Sequence, residues 1–249
     1  MTKRELCDLL APAAEEEAEI EARFLLEASS DESWLRQAVA RRLSGEPLQY
    51  ILGEWEFMGL PFDVGPGALI PRQDTETLCE AALGWLKTRP GATVLDLCCG
   101  TGCIGVSLAK LGGAQVAFGD ISPDALALAR RNAEKNGVAC AFYESDLLAD
   151  VPGVYDLIAC NPPYLNAQEM ASCQKELHFE PALALYGGED GLSFYRRIAH
   201  EWQAHVAPGG LLLMEIGASQ GEAMRELFPG ATILKDIRDL DRVAYVERI

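Results

Sequence analysis

The sequence predicts an α/β protein: a mostly parallel sheet with helices on both faces, an antiparallel final hairpin, and a small helical N-terminal domain. Three observations predict it. From residue 91 onward, apolar runs of strand length alternate with helical patterns, and such alternation builds parallel sheets. The last two strand-like runs, ATILKDI and VAYVERI, leave no room for a helix between them, so they pair as a hairpin. The opening segment carries strong helix formers at helical spacing.

Within residues 1–48, AEEEAEIEARFLLEASS reads as a helix with Ile20, Phe24 and Leu25 near one face. Ser30 or Asp31 caps a second helix, DESWLRQAVARRLSG, which stops at Gly45. Trp34, Leu35, Ala38 and Val39 share its apolar face, and the helices form a small bundle set apart from the rest of the chain. Residues 49–73 form a Gly/Pro-punctuated linker whose β-prone runs, Tyr50 to Leu52 and Glu56 to Met58, suggest a hairpin. Pro71 precedes a helix from about Asp74 to Lys87, which opens the main domain, residues 74–249. There ATVLDLC, QVAFGD, ACAFYESD, YDLIAC and GGLLLMEIG read as strands. CIGVSLAKL, PDALALARRNAEKNG, the stretch from about Gly191 to His205, and SQGEAMRELF read as helices.

A chain of 249 residues with 49% hydrophobic and 24% charged residues can bury a sizeable core without staples. The net charge of -17 argues against broad contact with duplex nucleic acid, which needs a basic stripe to replace counterions. No stretch is long and apolar enough to span a bilayer, and MTKRELCDLL lacks the apolar core of an export signal. With eight cysteines in no framework spacing, the expectation is a cytoplasmic protein with reduced thiols. A monomer is expected. Cys98, Cys99 and Cys103 cluster, but no second well-spaced Cys/His pair accompanies them. They read as small buried side chains, and no metal is expected.

The first chemical motif is DLCCGTGCIG, Asp96 to Gly105, between an apolar strand and a helix. Glycines in such a turn let a ligand approach the backbone closely. NAD and flavin sites use the same device, so the neighbouring acids discriminate. Asp120 ends the next strand, where a carboxylate can accept both ribose hydroxyls. Asp146 ends the third, where a side chain can contact an adenine amino group. Asp96 precedes the glycines, in reach of an amino-acid ammonium or of the loop's own amides. A carboxylate there suits a cationic methionine moiety better than a pyrophosphate. Three acids at successive strand ends fit a ligand crossing the carboxyl edge of the sheet.

The second motif is Asn161-Pro162-Pro163-Tyr164, directly after the apolar strand YDLIAC. Two prolines stiffen the loop and remove donors, leaving its carbonyls unpaired. The Asn161 amide oxygen and the Pro162 carbonyl make a pair of acceptors that can hold a planar NH2 group by both hydrogens. Tyr164 offers an aromatic face to stack on it. An amide nitrogen is a poor nucleophile because its lone pair is delocalised. Two fixed acceptors favour its pyramidalisation and aim the lone pair at a sulfonium methyl, so positioning and electrostatics supply most of the rate. His178, His200 and His205 have no evident base role.

Taken together, these segments resemble the HemK-type protein-(glutamine-N5) methyltransferases that modify release factors, over nearly the whole length. The most specific shared stretches are EPLQYILGEWEFMGLPFDVGPGALIPRQDTE and EPALALYGGEDGLSFYRRI, followed by GGLLLMEIGASQGE. NPPY alone is shared with adenine-N6 methyltransferases. The resemblance implies a Rossmann-like sheet that uses S-adenosyl-L-methionine and releases S-adenosyl-L-homocysteine, with release factors as protein substrate. It assigns the cofactor turn to Cys98, Cys99, Gly100, Thr101 and Gly102, the ribose to Asp120, and the adenine to Asp146 and Leu147. It assigns the target glutamine to Asn161 to Tyr164, with Arg72 and Glu76 close by. Two departures from the family stand out. Cys98 stands where a glycine is usual, with Cys99 in place of Thr, and Gln73 stands where a proline is usual. A cysteine at 98 is small and is expected to require an ordinary φ.

Three other readings compete. An adenine-N6 methyltransferase fits the same acceptor pair, but the acidic charge and lack of a basic, aromatic-interleaved patch oppose it. A non-catalytic module of the same fold has no need of NPPY or the acidic strand ends. An NAD enzyme has no use for NPPY.

Overall fold

The computed structural model describes residues 1–249, the side chain of Glu15 excepted. It opens with a helix absent from the sequence expectation, α1 (Lys3–Ala14), which buries Leu6 and Leu10 one turn apart. Its start signal is present in the chain: the Thr2 amide donates to Glu5 Oε2 at 2.7 Å, and the Glu5 amide donates to Thr2 Oγ1 at 3.3 Å, a reciprocal cap. Next come α2 (Ala18–Ala28) and α3 (Glu32–Leu43), the latter capped by Asp31, whose Oδ1 accepts the Ser33 amide.

The buried face of α2 differs from the expected one. Ala18, Glu21, Ala22 and Leu25 face inward, while Ile20 is 52% exposed. The cause is a charge pair: Arg42 of α3 is buried, and its Nε donates to both Glu21 carboxylate oxygens at 3.0 Å. A carboxylate goes inside when a partner is there to receive it.

The run Tyr50 to Leu52 is likewise not a strand. It lies in α4 (Leu48–Leu52), where the Pro47 carbonyl accepts the Tyr50 and Ile51 amides and Gly53 ends the turn at φ 78°. Leu48 and Ile51 pack with the N-terminal helices, so the helical cluster reaches residue 52. The hairpin comes after it as β1 (Glu54–Phe57) and β2 (Leu60–Asp63), turning through Met58 and Gly59, both at positive φ.

The main domain runs α5 (Gln73–Leu86), β3 (Thr93–Leu97), α6 (Cys103–Gly112), β4 (Gln115–Asp120), α7 (Pro123–Lys135), β5 (Ala141–Glu144) and β6 (Tyr155–Cys160). It continues with α8 (Ala167–Ala171), α9 (Ser193–His205), β7 (Val206–Glu215), α10 (Gly221–Leu227), β8 (Thr232–Lys235) and β9 (Asp241–Glu247). The sheet order is β5-β4-β3-β6-β7-β9-β8, parallel through β7 and antiparallel at β9 and β8. The expected hairpin is present, and its second strand is the inner one. Val243, Ala244 and Val246 of β9 are buried, which leaves the more exposed β8 as the edge.

Side chains alternate across the sheet as the pleat requires. Val94 joins the core beneath α5 and α6, whereas Leu95 and Leu97 join the core beneath α9 and α10. The chain winds from β3 outward to β5, then returns to start β6 on the other side of β3. That reversal opens a crevice at the carboxyl ends of β3 and β6. No helix is long and apolar enough to cross a membrane among the described residues.

Candidate functional site

A cavity of about 310 Å³ occupies that crevice, at the lower end of the size range of small-molecule pockets. One wall is the turn after β3. Gly100 and Gly102 sit at φ 53° and 76°. A Cβ on Gly102 would lie 3.1 Å from Ala129 Cβ, so glycine there lets α6 approach α7. Cys98 corrects the sequence expectation: its φ is 56°, not an ordinary value. The turn keeps the left-handed conformation that glycine favours, with a side chain carried in it.

The strand-end acids divide. Asp120 lines the cavity, its Oδ2 accepting the Gly100 amide and its Oδ1 the Ser122 amide, both at 2.9 Å. Burial pushes its pKa up, and these amides oppose the rise. Asp146 also lines the cavity and pairs with Arg197 of α9 at 2.9 Å. Beside it, Leu147 is buried at φ 55°. Asp96 is fully buried, away from the cavity wall. Of its two anticipated reaches, the loop's amides are the one made: Oδ2 accepts the Gly105 amide at 2.8 Å, while Oδ1 has no partner. Burial raises its pKa well above the usual carboxylate range.

Asn161 and Pro163 line the cavity; Pro162 is buried behind them. Asn161 Nδ2 donates to Thr75 Oγ1 at 3.4 Å, which leaves Oδ1 free of that contact. Among the described residues, no main-chain amide donates to the carbonyls of Asn161, Pro162 or Pro163. Tyr164 does not line the cavity. Its hydroxyl turns inward and donates to Glu215 Oε1 at 3.1 Å. Burial and the Glu215 charge hold that phenol above its usual pKa. Arg72 lines the mouth and pairs with Glu180. Glu76 stands off the wall, where its Oε1 accepts the Met58 amide at 2.8 Å and anchors the hairpin. Gly102 and Thr101 divide in the same way, with only Thr101 on the wall.

Several wall residues lie outside the two chemical motifs. Residues Gly67 to Pro71 run along one side, held by the Tyr50 hydroxyl donating to the Ala68 carbonyl at 3.0 Å. Ser122 and Ser145 stand beside the strand-end acids, and Phe194 of α9 closes the far side. Glu180, 5% exposed, accepts the Ile70 amide at 2.9 Å and thereby ties the linker to the Pro181–Ala184 rim. The EPALAL stretch is recognisable as a motif, but nothing local shows which element Glu180 meets.

The arrangement suits an elongated ligand with a hydroxylated middle. Asp120 offers spare lone pairs on both oxygens, the α6 turn offers close backbone approach, and Asp146, paired with Arg197, stands farther along the wall. No cationic side chain stands on the α6 turn to receive a pyrophosphate.

Known proteins converge on the same regions. Residues 28–53 match the PrmC N-terminal domain, and residues 76–184 match the Methyltransferase small domain. The chain is 46% identical over 196 residues to the release factor glutamine methyltransferase of Geobacter sulfurreducens, covering 78% of this chain and 68% of the relative. It is 42% identical over 228 residues to that of Bordetella pertussis, covering 90% and 83%. It is 38% identical over 226 residues to that of Chlamydia trachomatis serovar L2, covering 88% and 78%. Among solved structures, a methyltransferase from Pyrococcus furiosus superposes with a TM-score of 0.55 at 18% identity, covering 77% of this chain and 89% of that one. That likeness bears on the fold alone.

Proposed function

The chain belongs to the release factor glutamine methyltransferases, which are SAM-dependent enzymes, and from that premise we propose what its residues do. The reaction is methylation of the side-chain amide nitrogen (N5) of the glutamine in the Gly-Gly-Gln motif of peptide-chain release factors. In this reading the protein works in the cytoplasm.

The cofactor, when bound, supplies an electrophilic methyl group on a sulfonium. Gly100 and its neighbours, Cys98 to Thr101, receive it along the α6 turn, Asp120 takes the ribose hydroxyls, and Asp146 with Leu147 flanks the adenine. Asn161 Oδ1 and the Pro162 carbonyl accept the two hydrogens of the glutamine NH2. Their pull draws electron density toward nitrogen and holds its lone pair on the line of transfer. The product nitrogen sheds its proton only after it gains the methyl, so no strong base is needed beforehand. Residues 1–48 recognise the folded factor. In support, they have their own apolar cluster, and Arg42 Nη1 donates to Glu176 at 3.0 Å, just ahead of the cavity rim.

The observation that carries this reading is the amide contact to Thr75: Asn161 lines the cavity, and with Nδ2 engaged its oxygen is the group left to accept there. Asn161→Ala is expected to lower the methylation rate at least about 100-fold, as for one preorganised polar contact. Asn161→Asp keeps an acceptor and should retain partial activity. SAM affinity should change much less in both. Labelled-methyl incorporation into release factor, followed by mass spectrometry of the Gly-Gly-Gln peptide, measures it. A folded Asn161→Ala enzyme with near-normal turnover would refute the acceptor role.

A further inference from the structure

Two stretches of the chain, EPALALYGGEDGLSFYRRI and GGLLLMEIGASQGE, contain residues with no place in the reaction as described. Gly191 and Gln220 are among them, and neither lines the cavity. Gln220 stands directly ahead of α10 at 9% exposure. A primary amide buried to that degree needs partners for its oxygen and for both hydrogens. It has all three. Oε1 accepts the Gly217 amide at 2.8 Å, and Nε2 donates to the Tyr164 carbonyl at 3.0 Å and to the Gly191 carbonyl at 3.2 Å. The main chain fixes this orientation, because an N–H only donates and a carbonyl only accepts. Turned over, the side chain would set its NH2 against the Gly217 N–H and its oxygen against two carbonyls.

The Tyr164 carbonyl closes the Asn161–Tyr164 loop. That loop lies directly on the main chain of two glycines. A Cβ on Gly187 would come within 2.7 Å of the Pro163 carbonyl oxygen, and one on Gly191 within 2.4 Å of the Tyr164 carbonyl oxygen. Just past the loop, the Leu165 amide donates to the Leu185 carbonyl at 2.9 Å, and the Leu165 carbonyl accepts the Gly187 amide at 2.8 Å. Gln220 also holds Gly217 twice, since its own amide donates to the Gly217 carbonyl at 2.9 Å. Its fixed point is therefore the end of β7, the strand beside β6 from which the loop departs.

We propose that Gln220 is a positioning residue of the methyl transfer: it ties the Tyr164 carbonyl to the end of β7 and to Gly191, and so sets where the Asn161 and Pro162 acceptors stand. The inference rests on the assignment of those two groups as acceptors for the glutamine amide. The two prolines stiffen the loop internally, but they do not place it against the sheet. The Gln220 amide supplies that placement. In-line transfer depends on it, because a misplacement of about 1 Å can cost on the order of 100-fold in rate.

Gln220→Glu keeps the shape and the oxygen that meets Gly217 but removes the NH2. Gln220→Met keeps the length and removes every polar partner. Both are expected to lower kcat on release factor roughly 10- to 100-fold, counted per SAM-binding site titrated by calorimetry. SAM affinity should stay within about 3-fold, because Gln220 and its three partners all stand off the cavity wall. A role in folding alone would reduce the number of binding sites and the thermal midpoint, and would leave turnover per site at the parental value. Gly191→Ala pushes on the same Tyr164 carbonyl from its other side and should give the same split between turnover and SAM affinity. If Gln220→Met does not fold, Gln220→Glu and Gly191→Ala decide. A parent enzyme that methylates release factor while folded Gln220→Glu keeps parental turnover per site overturns this inference alone. So does a loss of SAM affinity as steep as the loss of turnover. A parent that transfers no methyl group to release factor overturns the proposed function and this inference with it.

Discussion

Replacing Asp120 with alanine removes a carboxylate that serves the fold and the cofactor at once. Oδ2 accepts the Gly100 amide and Oδ1 the Ser122 amide, each at 2.9 Å. Each oxygen retains a second lone pair, and two ribose hydroxyls can be taken without disturbing either amide. A hydrogen bond to a charged group contributes about 1.5–3 kcal/mol, and 1.4 kcal/mol is tenfold in affinity. Losing one such bond therefore weakens SAM binding by roughly 10- to 100-fold. Alanine also orphans the Gly100 amide, so part of its effect is a loosened turn. Asp120→Asn separates the two effects. It keeps the side chain's volume and one acceptor oxygen, so its loss should be smaller than alanine's. Isothermal titration with SAM measures both, with far-UV circular dichroism as the control on folding. Unchanged affinity in two folded variants would refute the ribose assignment.

Three further predictions concern Cys98, Arg42 and Asp96. Cys98→Val places a β-branched residue at φ 56° and should destabilise by about 1–2 kcal/mol, whereas Cys98→Gly should leave the urea midpoint unchanged or raised. Arg42→Met leaves Glu21 buried without its partner, which should cost about 3–5 kcal/mol. Arg42→Met combined with Glu21→Leu should recover most of that in the same urea titration. Asp96, by burial, has a folded pKa raised above its unfolded value, so its protonated form favours the native state. That contribution is fully present below the unfolded value, about 3.9, and is lost as pH rises through the folded one. Asp96→Asn should therefore flatten the decline of stability with pH across that window; an identical slope in parent and variant would count against the buried-acid account.

Strand-helix alternation from residue 91 is enough to establish a parallel sheet, because the period of apolar residues reports burial directly. Chain order alone then places the Gly-rich turn and NPPY at strand ends, where a switch in winding direction opens a crevice. The chemistry of two prolines after an asparagine, readable without coordinates, points to a rigid set of acceptors. Local pattern does not say which residues pair at a distance. Ile20 looks like the inward face of α2, yet Glu21 goes inside because Arg42, 21 residues later, supplies its counter-charge. Tyr50 to Leu52 looks β-prone by composition, but Pro47 and Gly53 set the ends of a short helix that the N-terminal cluster then buries. Tyr164 reads as an open aromatic face, while tertiary folding brings Glu215, 51 residues on, beneath its hydroxyl. Thr75 and Glu180 give no local sign of their partners, because the partner of a buried polar group is chosen by the folded chain and not by its neighbours in sequence. The sequence by itself thus determined the sheet, the place of the site and its acceptor chemistry. The tertiary structure alone decided which polar side chains stand behind that site and in which direction their hydrogen bonds run.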